Sequence, residues 1–372
     1  MKISFIIHEL TYSGAPKMMS WIANSFSKSG HETEIISCYG DNCLQAINGN
    51  VNVVLLKEKR ANSWLKRNFI DSFKITNKLF KHFKKSKPDI IINFLDNISY
   101  FFIFRNHFRI NKQFIIISSE RVDPSKYNKK SALLKKKILS WSDGIVFQTE
   151  GAKSYFGSKI ANKSIVIPNP VIISNKDKDF LQCPISFSQR EKIIVSVGRL
   201  FLKQKRQDVM IEAFTFFHRE NPNYKLFIFG DGGDKKAIEN IIEKAGMKDY
   251  IFLKGRTENV EKAIFDSSAF VFTSDYEGIP NSVIEALSVG VPVVATDCDP
   301  GGARLLIQDG VNGFLVPRGD SEAIADRLNK IVNNEILSNS FANEAIKISQ
   351  TFSEENIFNM WRDYVEEVVN KC

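Results

Sequence analysis

Short apolar runs, each bounded by polar or turn-forming residues, recur along the whole chain. In the first half they lie at 3–7, 33–37, 51–56, 88–94, 114–117, 144–148 and 164–167. In the second half they lie at 193–197, 225–229, 251–253, 269–272 and 291–295. Runs this short and this continuously apolar predict strands buried on both faces of a parallel sheet. Between them, apolar residues at helical spacing predict helices at 17–29, 57–87, 100–108, 208–220, 282–290, 321–332 and 352–369. Strands alternating with helices place the chain in the α/β class. Residues 171–192 are polar and without period, so they are expected to link a first domain, 1–170, to a second, 193–352.

The densest local signal lies at 269–295. A strand empties into Thr273-Ser274-Asp275-Tyr276-Glu277-Gly278-Ile279-Pro280, and a helix starts at Asn281 or Ser282 and stops at Gly290. Ligands of parallel sheets sit beyond the carboxyl ends of the strands. The backbone N–H groups of Asn281, Ser282 and Val283, at the positive end of that helix, suit an anion such as phosphate. Glu277 and Glu285, eight positions apart, would be repelled by a phosphate and are better suited to accept hydrogen bonds from neutral hydroxyls. Hydroxyls beside phosphates point to a ribose and a sugar. Two structural readings stand beside this one: Ser282-x-x-Glu285 also spells a capping box, and Glu277 also fits a solvated loop acid. Gly230-Asp231-Gly232-Gly233 is a further strand-end turn where backbone can approach a ligand closely.

Glu277-Gly278-Ile279-Pro280-Asn281 through Glu285, followed by Gly290-Val291-Pro292-Val293-Val294-Ala295-Thr296, resembles the E-x(7)-E signature of glycosyltransferase family 4. Residues 309–317, DGVNGFLVP, resemble the next segment of the same family. The resemblance implies the GT-B fold: two Rossmann-like domains facing across a cleft, with the last helix, 353–372, returning to the first domain. It implies retaining transfer of a hexose or N-acetylhexosamine from a UDP-linked sugar to a saccharide or polyprenyl-linked acceptor. Residue by residue, it makes Arg199 and Lys205, on the loop opened by Gly198, the cations that grip the diphosphate. It gives Glu277 the sugar hydroxyls and Glu285 the ribose, sets Arg256 beside the base, and brings Gly14 of the first strand–helix loop near the donor. Ser119-Glu120-Arg121-x-Asp123-Pro124 resembles members that handle N-acetylhexosamines in surface-polysaccharide assembly, where many relatives place a histidine. Glu120 and Arg121 are therefore expected on the acceptor side, either as an ion pair or in the chemistry.

Length and composition agree with two soluble domains: 372 residues, 43% hydrophobic and 25% charged. Charge changes the picture more. Residues 1–170 hold 27 Lys+Arg against 12 Asp+Glu, the rest 24 against 30, for a net +9. A basic half fits a solvated surface, a nucleic acid or an anionic membrane. The chain lacks zinc-finger spacing, a recognition-helix pattern and an RNP-like motif, so nucleic acid is not expected as a partner. The basic, aromatic stretch 57–87 and the basic run 126–137 leave peripheral membrane contact open, beside packing into the domain or a solvated loop. Five cysteines without a C-x-x-C pair, and an N-terminal apolar run cut short by His8-Glu9, fit the cytoplasm.

Asp297-Cys298-Asp299 has the spelling of a metal–diphosphate motif but runs into Pro300-Gly301-Gly302, so it reads as loop geometry. No metal and no separate cofactor are expected. With no obvious nucleophile in the first domain, retention implies departure and attack on one face of the sugar. A dinucleotide-dependent oxidoreductase is the rival class, and the missing G-x-G-x-x-G speaks against it.

Overall fold

The computed structural model describes residues 1–11, 14–40, 47–58, 70–94, 97–108, 114–172, 184–257 and 259–372. They form two units, Met1–Asn169 with Glu355–Cys372, and Pro170–Glu354.

The first unit is built on a seven-stranded, all-parallel sheet: β1 Lys2–Ile7, β2 Glu32–Tyr39, β3 Asn52–Glu58, β4 Ile90–Phe94, β5 Ile115–Glu120, β6 Gly144–Phe147 and β7 Ser164–Val166. The order across it is β3-β2-β1-β4-β5-β6-β7. Phe5 of β1 lies level with Ile35 on one side and Ile92 on the other, which is why the central strands read as unbroken apolar runs. The helix Ser72–Ser86 buries Ile75, Leu79, Phe80 and Phe83 along one stripe. Phe80 and Phe83 meet Phe102 at ring-centroid distances of 4.9 and 5.6 Å. Much of the aromatic stripe expected at 57–87 is therefore core, while Trp64 and Phe69 lie outside the described residues. The basic run 126–137 is no loop. It forms the helix Lys129–Ser140, capped by the Asn128 side chain on Ser131 N–H.

The last helix, Glu354–Lys371, returns to this unit and buries Trp361, Tyr364, Val365 and Val368. The Tyr364 hydroxyl accepts from Ile145 N–H and donates to Lys163 C=O, both at 2.8 Å. Burial pushes that phenol up to about 12. The helix comes so close that a Cβ on Gly144 would stand 2.8 Å from Val368.

The second unit carries a six-stranded parallel sheet: β8 Glu191–Val197, β9 Lys225–Phe229, β10 Ile251–Gly255, β11 Ser267–Phe272, β12 Val293–Thr296 and β13 Gly313–Val316. Its order is β10-β9-β8-β11-β12-β13. Part of the stretch expected as a linker belongs to this unit. Residues 184–190 are fastened by buried Arg190, whose guanidinium donates to Ser267 C=O at 2.8 Å and Gly290 C=O at 2.6 Å, and the strand begins at Glu191, not 193. Two helices without a sequence expectation, Lys235–Lys244 and Glu335–Ala345, complete the cover. Among the described residues no helix is long and apolar enough to cross a membrane.

Tyr364→Phe strips one buried and one half-buried backbone group of their partner. Urea unfolding is expected to show a loss of about 1–3 kcal/mol, and an unchanged midpoint would show that the bonds do not hold the last helix.

Candidate active site

In each sheet the strand order reverses beside the first strand. Loops that leave the two strands at that point run apart, and they open a crevice at their carboxyl ends. In the second unit those strands are β8 and β11, adjacent and parallel. The segments that follow them are 198–206, which contains the short helix Leu202–Lys205 and carries Gly198, Arg199 and Lys205, and the loop 273–280, which carries Glu277.

Close backbone approach shapes this edge. Gly230, at φ +138, comes so near the β8 loop that a Cβ would stand 1.9 Å from the Gly198 carbonyl oxygen. On the other side a Cβ on Gly302 would stand 1.8 Å from the Gly278 carbonyl oxygen. Gly198 itself makes no such contact. A side chain there would meet the Lys205 stem at 3.6 Å, in the space over its ammonium arm.

The two loops are tied by side chains. The Lys205 ammonium pairs with Glu277 Oε1. Gln204 Nε2 donates to the same oxygen and to Tyr276 C=O, both at 3.1 Å, and Ser274 Oγ approaches it at 3.3 Å. Arg199 in turn donates to Gln204 Oε1 at 3.2 Å and lies over the Phe201 ring. Two further bonds lock the frame: backbone Asp275 N–H donates to Gln204 C=O at 2.8 Å, and the Thr273 hydroxyl donates to Lys205 C=O at 2.7 Å. Arg206, held at φ +50, spans to Asp208 and Asp275. The Lys205 and Glu277 side chains keep 18% and 15% of their surface, so both charges stay reachable from solvent while screened less than surface ions.

Other expected residues fall on the same edge with different partners. Arg256 is exposed and faces Asp231 at 3.6 Å. The helix after the β11 loop spans Asn281–Ser288 with Pro280 at its cap and no side-chain cap bond, so Ser282 and Glu285 do not form the capping box that the sequence allowed. The Val283 N–H, expected to serve an anion, donates to Pro280 C=O at 3.1 Å and is committed inside the helix. Asn281, Ser282 and Glu285 are half-buried.

Gly14, Glu120 and Arg121 belong to the first unit. Gly14 opens the helix Gly14–Lys28 and is exposed. Glu120 ends β5 fully buried, but its ionic partner is Lys135 of the helix Lys129–Ser140, with Tyr127 beside both, and not Arg121. Burial, with Glu120 adding to it, raises the Tyr127 phenol well above its ordinary range. The Arg121 guanidinium stacks over Phe94 at 4.2 Å and donates to Asn169 at 2.6 Å. Its Nε is enclosed without a partner, and burial pulls the group down to about 9.

The D-x-D spelling is taken up by arginines. Arg304 Nε donates to Asp297 at 2.7 Å, and Arg318 approaches Asp299 at 3.7 Å. Cys298 between them is buried, and burial together with Glu277 pushes its thiol up to about 12. Among the described residues no group of acids, histidines and cysteines could hold a metal ion. Sequence reading missed Gln204, Ser274 and Arg206. Their only signal is adjacency to Lys205 and Glu277, because their roles come from two loops meeting.

The family model of the glycosyl transferases group 1 matches residues 177–348. An uncharacterised glycosyltransferase of Methanocaldococcus jannaschii is 28% identical over 91% of this chain and 93% of its own length. A Campylobacter jejuni α-1,4-N-acetyl-D-galactosaminyltransferase, named for a GalNAc-α-(1→4)-GalNAc-α-(1→3)-diNAcBac-diphospho-undecaprenol, is 28% identical over 100% of this chain and 99% of its own. A variant of Staphylococcus aureus TarM, solved with fondaparinux, α-GlcNAc-glycerol and UDP, superposes with a TM-score of 0.77 at 18% identity, covering 98% of this chain and 99% of that one. The matched domain and the named relatives make this protein a glycosyltransferase, and the structural likeness shows its GT-B fold.

Proposed function

We propose that the protein transfers a hexose or N-acetylhexosamine from a UDP-linked sugar, with retention, to a saccharide or polyprenyl-linked saccharide in surface-polysaccharide assembly. The observation that carries this reading is the Lys205–Glu277 pair bridging the two loops at the strand reversal of the second unit. An ammonium there suits a diphosphate, and a carboxylate fixed beside it suits sugar hydroxyls. Lys205, Gln204 and Ser274 all meet Oε1 of Glu277, so its Oε2 is the oxygen left to accept from the sugar. The Campylobacter relative's name supports an N-acetylhexosamine and a polyprenyl diphosphate, and the UDP in the Staphylococcus structure supports the nucleotide.

Retention then proceeds on one face of the sugar. The bond from anomeric carbon to diphosphate oxygen breaks, the acceptor oxygen bonds to the same face, and the acceptor's proton passes to the departing diphosphate. Lys205, Arg199 and the helix opening at Asn281 stabilise the charge that develops on the leaving group. Glu285 holds the ribose and Arg256 lies beside the base. The arginines on Asp297 and Asp299 supply positive charge to those acids without a metal, which supports metal-independent transfer.

Lys205→Met is expected to lower turnover by about 10²–10³, and Arg199→Met by less, in a transfer assay with UDP-sugars. A wild-type rate in both variants, with no UDP-dependent thermal shift in the parent, would sink the proposal. EDTA is expected to leave the rate unchanged. Activity lost on EDTA and restored by Mg²⁺ or Mn²⁺ would overturn metal independence. Gly302→Ala displaces the Gly278 carbonyl and with it the Glu277 loop, so turnover is expected to fall at least tenfold, whereas Gly49→Ala, where a Cβ meets nothing within 4 Å, leaves it unchanged.

A further inference from the structure

The helix Lys129–Ser140 has two unlike sides. Lys135, Ile138 and Leu139 face the interior. On the opposite side Leu133 and Leu134 keep 70% and 55% of their surface, at the helical spacing that continues through Lys137 to Trp141. There the stripe joins the end of the helix Asn97–His107: Trp141 meets Phe104 at 5.6 Å and Phe108 at 5.2 Å, and these two phenylalanines are 50% and 62% exposed. A soluble protein does not ordinarily gather four large apolar side chains in one exposed strip unless something covers it.

Charge identifies what covers it. The helices Ser72–Ser86, Asn97–His107 and Lys129–Ser140 contain no aspartate or glutamate. Lys129, Lys130, Lys136 and Lys137 stand exposed around the leucines, and the Lys137 ammonium lies 5.7 Å over the Trp141 ring. Apolar side chains rimmed by lysines, with no acid on the three helices, match a bilayer with anionic headgroups: leucine and phenylalanine enter the acyl boundary while the lysine heads stay at the phosphates. A nucleic-acid backbone would use the lysines and leave the leucines in water.

We infer that this strip of the first unit, Leu133–Leu134 with Phe104 and Phe108, docks the protein on an anionic membrane surface. The docking helix also carries Lys135, which pairs with Glu120 at the carboxyl end of β5. The element that touches lipid is thus the element that supports the acceptor-side residues, which suits an acceptor held in the same membrane. The inference rests on the exposed face and not on the donor reading.

Sedimentation of the full chain with vesicles of phosphatidylglycerol and phosphatidylcholine, against phosphatidylcholine alone, tests it. Binding is expected only with the anionic lipid, falling about fivefold for each surface lysine changed to glutamine. The double change Leu133→Ser and Leu134→Ser is expected to reduce it tenfold or more. The UDP-dependent thermal shift serves as a check that the variants fold, and its loss in the parent would count against the donor reading alone. Absence of binding to anionic vesicles, or equal binding by the folded leucine variant, overturns the inference. A parent that ignores vesicles but forms a dimer abolished by the leucine changes overturns it in favour of a second copy, and salt-sensitive nucleic-acid retention without vesicle binding overturns it in favour of that polymer.

Discussion

The candidate site depends on one constraint: two neighbouring parallel strands, β8 and β11, whose loops must part because the chain turns to opposite sides of the sheet. The strand ladder ends before those loops. One backbone bond, from Asp275 N–H to Gln204 C=O, joins them with the Arg206–Asp275 contact and Thr273 on Lys205 C=O, and among these ties the Lys205–Glu277 pair, helped by the Gln204 amide, sets the charges. Such a partly exposed pair adds little to folding free energy, since desolvation offsets much of its Coulomb attraction. Its value is positional. It keeps a cation and an anion side by side at the edge where the proposed donor would need both, so that neither has to be ordered at each turnover.

The first unit repeats the same sheet geometry with different chemistry at its edge. Glu120 is wholly interior and compensated by Lys135, while Arg121 is stacked and keeps an enclosed Nε without a partner. One carboxylate is therefore spent on architecture, and the neighbouring guanidinium carries the unsatisfied hydrogen-bonding capacity. That division could not be read from the adjacent letters Glu-Arg, because Lys135 reaches Glu120 only after a turn and two turns of helix bring it back.

Strands were legible because burial on both faces leaves uninterrupted apolar runs, as at 114–117 and 269–272, whereas the two serines that begin the latter strand hid its start at 267. The loop after β11 was legible because Gly278 and Pro280 punctuate it and two glutamates stand at a characteristic spacing. Helices Lys235–Lys244 and Glu335–Ala345 escaped notice because each shows the core only a narrow apolar stripe amid charged or small polar residues. Ser282 misled for a related reason: its spacing to Glu285 fits a cap, but the preceding proline already occupies that position. The roles of Gln204 and Arg206 were beyond the reach of local pattern, since both are defined by partners about 70 residues away.

The return of the last helix has a consequence for how the chain is made. Residues 355–372 complete the first unit, yet they leave the ribosome only after the whole of 170–354. At roughly 5–20 residues per second the nascent first unit waits on the order of ten to forty seconds with the Ile145 N–H and the surface beside Gly144 uncovered. The later unit, contiguous in sequence, can finish first. Biogenesis thus inverts the usual vectorial order, and removal of even a few turns of 355–372 injures the earlier unit and not the later one.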